Sequence, residues 1–297
     1  MPRIAVVIPT RNREDQAAEA ARAVLQDPSD LELVVVDQST DDSTVAALGQ
    51  VCDNRLRVFR SAERGASNAR NLGVANTSAP IVAFTDDDCR PGPTWVSQVL
   101  RVFDEDPATA LVFGRVRVPP MENGDYAASF EPKVRSQRGV PLPDGDLGIG
   151  ANFAIRREVL QALGGFDPLL GPGAPTFRGA EETDLLIRAL HAGYPVINAA
   201  ECDVLHLGVR TGADVPPLHV AYQFAVGAAF GKHARLSGAS GFWDAARWVD
   251  FYVRMSLRDA LELRRPRISV LAYFVSGALA TFRYEIDQER SVFRVRR

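Results

Sequence analysis

Three consecutive aspartates, Asp86, Asp87 and Asp88, come just after the apolar run of residues 81–84. Carboxylates this close repel one another, and an unpaired carboxylate is costly to remove from water. A divalent cation among their oxygens would offset this repulsion, because Mg²⁺ and Mn²⁺ bind one or two carboxylates together with substrate phosphates. The alternative is a solvated acidic turn in which Asp87 or Asp88 caps a helix. The triplet alone is consistent with both interpretations.

A second acidic group, Glu181, Glu182 and Asp184, opens a helical pattern over residues 180–192 that Gly193 closes. The helix dipole stabilises acidic residues in a first helical turn, so a purely structural interpretation is available. A carboxylate here can also serve as a general base, provided that it reaches the hydroxyl whose proton it removes.

The first 90 residues alternate strand and helix patterns. Apolar runs predict strands over residues 4–8, 31–36, 56–59 and 80–85, and amphipathic patterns predict helices over residues 17–25, 44–51 and 66–75. Strands that are apolar throughout, separated by such helices, are typical of a parallel sheet covered on both faces. We therefore predict an α/β fold with a mostly parallel central sheet flanked by helices.

Polar residues follow three of these strands. Thr10 and Arg11 come after the first, Asp37 after the second, and the aspartate triplet after the fourth. Ligands of open α/β sheets bind at the carboxyl ends of the strands, so these residues predict a binding site at one edge of the sheet.

The rest of the chain changes character near residue 210. Before it we predict a helix over 94–105, a strand over 109–118, a loop over the site at 119–145, strands within 147–155 and 194–199, and turns over 160–173. After it, long helical patterns cover residues 218–236, 243–263 and 268–289. The predicted organisation is therefore a site-bearing domain, 1–210, with a C-terminal helical extension, 211–297.

Composition narrows the function classes. The 297 residues, 46% of them hydrophobic, suffice for one sizeable core, and the net charge of −3 gives no reason to expect nucleic-acid binding. Cys52, Cys89 and Cys202 are isolated, which argues against a disulfide framework or a zinc site and favours a reducing compartment. No signal peptide is predicted, and the longest apolar run, 268–282, is too short to span a bilayer. We expect a cytoplasmic protein.

The helical extension is basic and rich in aromatic residues. Residues 231–297 carry 13 basic and 7 acidic side chains. An apolar stripe at helical spacing is formed by Trp248, Phe251, Tyr252 and Met255, and the basic side chains nearby include Arg264, Arg265, Arg267, Arg283, Arg294, Arg296 and Arg297. This pattern suits peripheral docking at an anionic membrane, on its cytoplasmic face. The alternative is a helical unit that packs on the core or on a second subunit of a homodimer.

Five segments together resemble the family 2 glycosyltransferases, which have the Rossmann-like GT-A fold. They lie, in the family's order and spacing, at residues 6–13, 33–43, 65–73, 84–88 and 164–185, so that the resemblance covers about residues 3–210. It implies a nucleotide-sugar donor, a divalent cation (Mg²⁺ or Mn²⁺) at a DxD signature formed by the triplet, and an acceptor hydroxyl.

The resemblance also implies roles for individual residues. Donor-binding residues would be Pro9, Thr10, Arg11, Asp37, Ser39, Arg70, Asp86 and Asp87. Metal ligands would be Asp88, Asp86 and His206. The sugar or acceptor pocket would contain Gly150, Ala151, Asn152, Glu181 and Asp184. The general base would be Glu182, where the family usually has aspartate, a difference that leaves Glu181 as an alternative base.

Most of these assignments have a structural alternative. Thr10 and Arg11 could cap a helix, and Asp37 could belong to a turn. Arg70 could form a surface salt bridge, and His206, flanked by leucines, could be a core residue.

The leading hypothesis is an inverting, metal-dependent glycosyltransferase, with a UDP- or dTDP-sugar as donor and a role in bacterial cell-surface glycan or glycoconjugate synthesis. The acceptor class stays open between a glycan, a lipid-linked molecule and a small molecule. A sugar nucleotidyltransferase is one rival, but it would need a glycine-rich loop and a lysine after the first strand, where this chain has Pro9, Thr10, Arg11, Asn12 and Arg13. A non-catalytic nucleotide-sugar binding protein is another rival, but the presence of both the aspartate triplet and the glutamate pair weighs against it.

Overall fold

The central sheet of the protein is formed by nine strands of the described part of the chain. The computed structural model describes residues 1–122, 124–137, 139–140, 147–262 and 268–295. Part of the predicted 119–145 loop lies outside these residues, as do Arg264, Arg265, Arg267, Arg296 and Arg297.

The first half of the sheet is parallel, as predicted. Its strands are β1 (Ile4–Thr10), β2 (Leu31–Asp37), β3 (Leu56–Arg60) and β4 (Ile81–Thr85), in the spatial order β3-β2-β1-β4. The connecting helices are α1 (Glu14–Leu25), α2 (Ser43–Gly49) and α3 (Ala66–Ala75). Helix α3 lies very close to β1, since a Cβ on Gly73 would overlap the Val7 side chain. This close approach sets the height of α3, and of Arg70 on it, against the sheet.

The second half of the sheet is mixed. Its elements are β5 (Cys89–Pro91), α4 (Trp95–Glu105), β6 (Leu111–Arg117), β7 (Ser136–Gln137), β8 (Asn152–Arg156), α5 (Arg157–Ala162), α6 (Glu181–His191) and β9 (Val196–His206). The order continues from β4 as β8-β6-β9-β5, with β8 antiparallel to both of its neighbours and β6 parallel to β9. Helix α5 occupies the start of the segment predicted as turns, so that part of the prediction is wrong.

The C-terminal extension contains α7 (Val215–Leu236), α8 (Ala239–Leu261) and α9 (Ile268–Ala280). It ends in an antiparallel hairpin of β10 (Tyr284–Asp287) and β11 (Val292–Val295). The predicted helix over 268–289 is therefore wrong beyond Ala280. Tyr284 and Phe293 stack around the buried Phe177, at ring-centre distances of 5.6 and 5.3 Å, and these contacts outweigh local helix propensity.

The extension packs on the rest of the chain. A Cβ on Gly227 or Gly277 would overlap backbone of the facing helix, so α7 and α9 approach each other directly. The aromatic stripe of α8 is used here, since Trp248 and Tyr252 are buried against Phe274 of α9. Apolar residues of the 167–191 region, including Leu170, Phe177, Ala180 and Ile187, belong to the same buried cluster as α7. The predicted boundary at residue 210 thus separates the α/β part from the mainly helical part, but one buried apolar cluster contains residues from both sides of it.

Among the described helices, none has both the length and the apolar character required to cross a bilayer.

Candidate active site

A cavity of about 1440 Å³ opens at the carboxyl ends of β1 and β4. It is lined by predicted site residues from across the sequence, namely Pro9, Thr10, Arg11, Asp86, Asp87, Asp88, Gly150, Ala151, Glu181, Glu182 and His206. Further parts of its wall come from the loop of residues 168–179, from helix α7, and from residues 63–68 and 206–210.

The aspartate triplet lies at the floor of this cavity. Asp87 accepts hydrogen bonds from the Thr10 hydroxyl (2.8 Å) and from Arg13 (2.8 Å), and Arg13 also donates to Asp88 (3.0 Å). Burial raises the pKa of Asp86 to about 6, although the Arg70 guanidinium opposes the shift. Strand β5 follows the triplet directly, so the interpretation as a solvated helix cap is wrong.

Arg70 connects the two acidic groups. Its guanidinium donates to Glu181 Oε1 at 2.5 Å and to Asp86 Oδ1 at 2.9 Å, and it lies 5.8 Å from the centre of the Phe166 ring. Arg70 is almost completely buried, so the alternative of a surface salt bridge is wrong. A buried arginine between two carboxylates holds the end of β4 and the start of α6 in a fixed relation.

Glu182, the second residue of α6, accepts no hydrogen bond from Arg70, in contrast to the neighbouring Glu181. The Tyr222 hydroxyl of α7 donates to Glu182 Oε1 at 3.0 Å. Burial, with added repulsion from Glu181, raises the pKa of Glu182 to about 8. A base works best when its pKa lies near the working pH, so the environment suits Glu182 better than the arginine-paired Glu181. The preceding Ala180 has φ of 64°, a strained conformation for a residue with a Cβ, of the kind found at functional sites.

Asp88 and His206 face each other across a gap that fits a cation. His206 Nδ1 donates to the Ala128 carbonyl (3.0 Å), and Nε2 faces Asp88 Oδ1 at 3.4 Å, so that in the neutral imidazole the lone pair of Nε2 points to this gap. Gly208 keeps the gap open, because a Cβ there would lie 2.5 Å from Asp88 Oδ2 and 2.7 Å from His206 Nε2. A carboxylate and an imidazole are suitable ligands for Mn²⁺ or Mg²⁺. Cys89 lies within the same cluster, but a buried thiol is a poor ligand for such hard cations.

Asp37, at the end of β2, is completely buried beside the cavity wall formed by Gln38. Its Oδ1 accepts from the Ser39 amide at 2.9 Å, whereas Oδ2 accepts no hydrogen bond from the described residues and lies 3.7 Å from Arg60 Nε. A buried oxygen without a hydrogen-bond donor is unusual and could accept one from a ligand. The Ser39 hydroxyl accepts from the Asn12 amide (2.7 Å) and pairs with Thr44, so it shapes the loop rather than lining the cavity.

Two predicted pocket residues do not reach the cavity. The Asn152 side chain accepts from Trp95 Nε1 and donates to the carbonyls of Arg115 and Cys202, which uses its hydrogen-bonding capacity inside the sheet. Asp184 is completely buried and binds Lys232 of α7 (2.7 Å). Neither residue lines the cavity, so the structure does not bring Asn152 or Asp184 to the predicted sugar or acceptor pocket.

Several cavity residues were missed by the sequence analysis. Arg13 lies inside the first motif and could have been singled out by its charge near the aspartates. Tyr126, Arg178, Arg210, His219 and Tyr222 also line the cavity. Tyr126 belongs to the segment 119–145, which the sequence predicts to lie over the site, although the residue itself was not singled out. The other four come from loops and from α7, and no local pattern predicts that these side chains reach the site.

Comparisons with known proteins agree with this geometry. The sequence profile of the family described as "Glycosyl transferase family 2" matches residues 5–164. Glycosyltransferase AglE of Haloferax volcanii is 25% identical over 190 residues, 62% of this chain and 62% of that protein. The pre-mycofactocin glycosyltransferase of Mycobacterium tuberculosis is 30% identical over 203 residues, 64% of this chain but 39% of that protein. The chain therefore spans less than two thirds of either relative.

The fold is shared with a solved enzyme. The mannosyltransferase PcManGT from Pyrobaculum calidifontis, in complex with GDP-Man and Mn²⁺, superposes with a TM-score of 0.62 at 19% identity, covering 94% of this chain and 86% of that one. At this identity the likeness concerns the fold alone, and it confirms the predicted GT-A architecture.

Proposed function

This chain belongs to glycosyl transferase family 2, and on that premise we propose that it transfers a sugar from a nucleoside-diphosphate sugar to a hydroxyl acceptor with inversion, Glu182 being the general base. The observation that carries the proposal is the placement of Glu182, with its raised pKa, in the same cavity as the aspartate triplet.

In the proposed reaction Glu182 accepts the proton of the acceptor hydroxyl as that oxygen attacks the anomeric carbon of the donor sugar. The bond from that carbon to the diphosphate breaks on the opposite face, and its electron pair leaves with the nucleoside diphosphate. Tyr222 orients the base by its hydrogen bond, and Arg70 keeps Glu181 paired so that Glu182 is the free carboxylate. General-base catalysis of this kind contributes roughly 10²- to 10⁴-fold to the rate.

The donor nucleotide would lie along the edge formed by β1, β2 and β4. Thr10 and Arg11 face the cavity there. Asp37 Oδ2 accepts no hydrogen bond from the described residues, so it can accept the imide N–H of a uracil or thymine. A UDP- or dTDP-sugar satisfies this oxygen, which is why we favour these donors.

Asp88 and His206, with Asp86 beside them, would hold a Mg²⁺ or Mn²⁺ ion. When bound, the cation neutralises charge on the departing nucleoside diphosphate. The fit rests on the lone pair of His206 opposite the Asp88 carboxylate and on the space left by Gly208. The solved mannosyltransferase that shares this fold was crystallised with Mn²⁺, which supports a divalent cation in the proposed reaction.

We further propose peripheral contact with an anionic membrane at its cytoplasmic face, in bacterial surface-glycan synthesis. Supporting this, exposed apolar side chains continue along α8 and α9, including Leu257, Leu261, Ile268 and Leu279. Arg254 and Arg258 lie among them. A homodimer that covers these residues is the alternative.

The base assignment is tested with Glu182→Gln, and Glu158→Gln on the exposed side of α5 is the matched control. Donor turnover is measured with a panel of nucleotide sugars and Mn²⁺, and donor binding is measured by thermal shift. We expect Glu182→Gln to keep the nucleotide- and metal-dependent stabilisation and to lose at least roughly 100-fold of turnover. Unchanged turnover would refute Glu182 as the base.

A further inference from the structure

The wall of the cavity beyond Glu182 is built by α7 and by the loop that precedes α6. Leu218, His219, Tyr222 and Gln223 of α7 line it, and Tyr222 touches Glu182. Because Glu182 is proposed to take the proton of the acceptor, this wall borders the acceptor. The chemistry of its side chains therefore indicates what kind of acceptor fits.

Two arginines on this side of the cavity lack an acidic partner. Arg178 and Arg210 are exposed, and neither side chain forms an ion pair or a hydrogen bond with the residues that the structure describes. By contrast, Arg13 and Arg70 on the donor side are each bound to two carboxylates. Of the acidic groups close by, Glu181 is already neutralised by Arg70. Glu182 is a further carboxylate on this side, so the two arginines leave an excess of positive charge there, which attracts an anion.

Arg178 also borders a second recess, an apolar groove of about 620 Å³ on the outer side of α7. The groove is lined by Pro217, Val220, Ala221 and Phe224 of α7, by Tyr273 and Ser276 of α9, and by Thr176 and Arg178. Beyond it, the exposed Val275 and Leu279 extend the apolar surface along α9. A guanidinium therefore stands between the cavity that holds Glu182 and an apolar groove that leads to the surface.

We propose that the acceptor is an amphiphile, in which a hydroxyl of the headgroup reaches Glu182, a phosphate binds Arg178, and an aliphatic chain lies in the groove of α7 and α9. This inference rests on the proposed transferase function and names its acceptor class. The planar guanidinium matches a phosphate bidentately, and the groove has the apolar lining that a hydrocarbon chain requires. A free anionic metabolite would use Arg178 and leave the groove without a ligand.

The test uses decyl phosphate as the probe, below its micelle concentration, with decanol and inorganic phosphate as the single-feature comparisons. Binding to the full chain is measured by calorimetry. We expect decyl phosphate to bind at least ten-fold more tightly than either comparison compound. Equal binding of inorganic phosphate would overturn the amphiphile, because it would show that the chain contributes nothing.

Two substitutions locate the site. Arg178→Gln is expected to weaken decyl phosphate binding at least ten-fold, and Arg22→Gln, an exposed arginine of α1, is the matched control that leaves it unchanged. Ser276→Trp places an indole in the groove and is expected to weaken binding similarly. Both replaced side chains are exposed, and thermal unfolding verifies that each variant is folded. Unaltered binding in Arg178→Gln or in Ser276→Trp would overturn the proposal.

The same variants separate this proposal from the proposed function. Arg178→Gln and Ser276→Trp should keep the stabilisation by UDP and Mn²⁺, because neither side chain forms a hydrogen bond or an ion pair with the aspartate triplet. Decyl phosphate binding without any nucleotide binding would overturn the transferase assignment, whereas nucleotide binding without a decyl phosphate site would overturn only the acceptor class.

Discussion

At the scale of single residues, the site depends on the different hydrogen-bond partners of two adjacent glutamates, Glu181 and Glu182. Arg70 binds Glu181, and Tyr222 donates to Glu182, so the two carboxylates have different environments although both open the same helix. Burial and Glu181 raise the pKa of Glu182, while the hydrogen bond from Tyr222 lowers it. The protonation state of the base is therefore set by a balance that single substitutions can shift.

The pH dependence of turnover follows from that balance. Only the deprotonated Glu182 can accept a proton, so kcat/KM should rise with pH to a plateau above about 8. Tyr222→Phe removes a hydrogen bond that favours the charged form, so the pKa rises and the whole profile moves to higher pH. At pH 7 we expect roughly two- to ten-fold lower kcat/KM.

The measurement is kcat/KM across pH 6–10 for the wild type, Tyr222→Phe and the control Tyr194→Phe, a tyrosine outside the cavity. A profile that moves to lower pH, or that does not move in Tyr222→Phe, would show that this hydroxyl does not tune the base.

A substitution of Gly208 tests the cation site, because a side chain at this position would enter the gap between Asp88 and His206. Gly208→Ala would place a methyl group 2.5 Å from Asp88 Oδ2 and 2.7 Å from His206 Nε2, so we expect Mn²⁺ affinity to fall at least roughly ten-fold. Gly92→Ala is the matched control, because a Cβ there meets nothing within 4 Å. Calorimetric titration with Mn²⁺ in the presence of UDP compares the two, and equal affinities would place the ion elsewhere.

At the scale of elements, a buried ionic cluster attaches α7 to α6 and to the loop that lines the cavity. Lys232 Nζ lies 2.7 Å from Asp184 Oδ1 and 2.8 Å from Asp167 Oδ2, and all three side chains are completely buried. Asp184 also binds Arg188 and His233. These buried ion pairs thus join the extension to the helix that carries Glu182. If one ion of a pair is removed, the charge that remains is still buried away from water.

Lys232→Met leaves Asp167 and Asp184 without their shared cation. Removing one partner of a buried ion pair costs about 3–5 kcal/mol, and we expect a loss of stability of that size. Arg254→Met is the control, since its exposed pair with Asp250 contributes less than about 1 kcal/mol. Urea unfolding gives both values, and a Lys232→Met loss as small as that of the control would show that the cluster does not hold the elements together.

The sequence predicted those elements that local patterns determine. The strands β1, β2, β3 and β4 are continuous apolar runs because both faces are covered, and their order along the chain places Thr10, Asp37 and the triplet at one sheet edge. The hairpin at 284–295 and the route of α7 to Glu182 depend on contacts between distant residues, such as Tyr284 with Phe177. Asn152 and Asp184 were assigned to the pocket by motif, and only the fold shows that neither lines the cavity.

At the scale of the whole molecule, charge and apolar surface are unevenly distributed. The chain has a net charge of −3, yet residues 231–297 have 13 basic against 7 acidic side chains. The same region exposes Leu257, Leu261, Ile268 and Leu279. Basic and apolar side chains in one region of the chain are the basis of the proposed contact with an anionic bilayer.

Sedimentation with vesicles tests this directly. We expect the protein to pellet with vesicles containing phosphatidylglycerol, less with pure phosphatidylcholine, and less at high salt. The double substitution Leu257→Asp with Leu279→Asp should release it, whereas Met121→Asp, at an exposed apolar residue elsewhere, should not. Equal pelleting of both variants would assign the apolar face to another partner, such as a second copy.

We propose above all that one cavity holds both a divalent cation and a nucleoside diphosphate opposite Glu182. Anomalous diffraction from crystals soaked with UDP and Mn²⁺ tests it most directly. We expect an anomalous peak between the Asp88 carboxylate and His206 Nε2, with the diphosphate in the cavity and the uracil ring beside Asp37. A manganese peak away from these residues, or UDP bound outside the cavity, would contradict it.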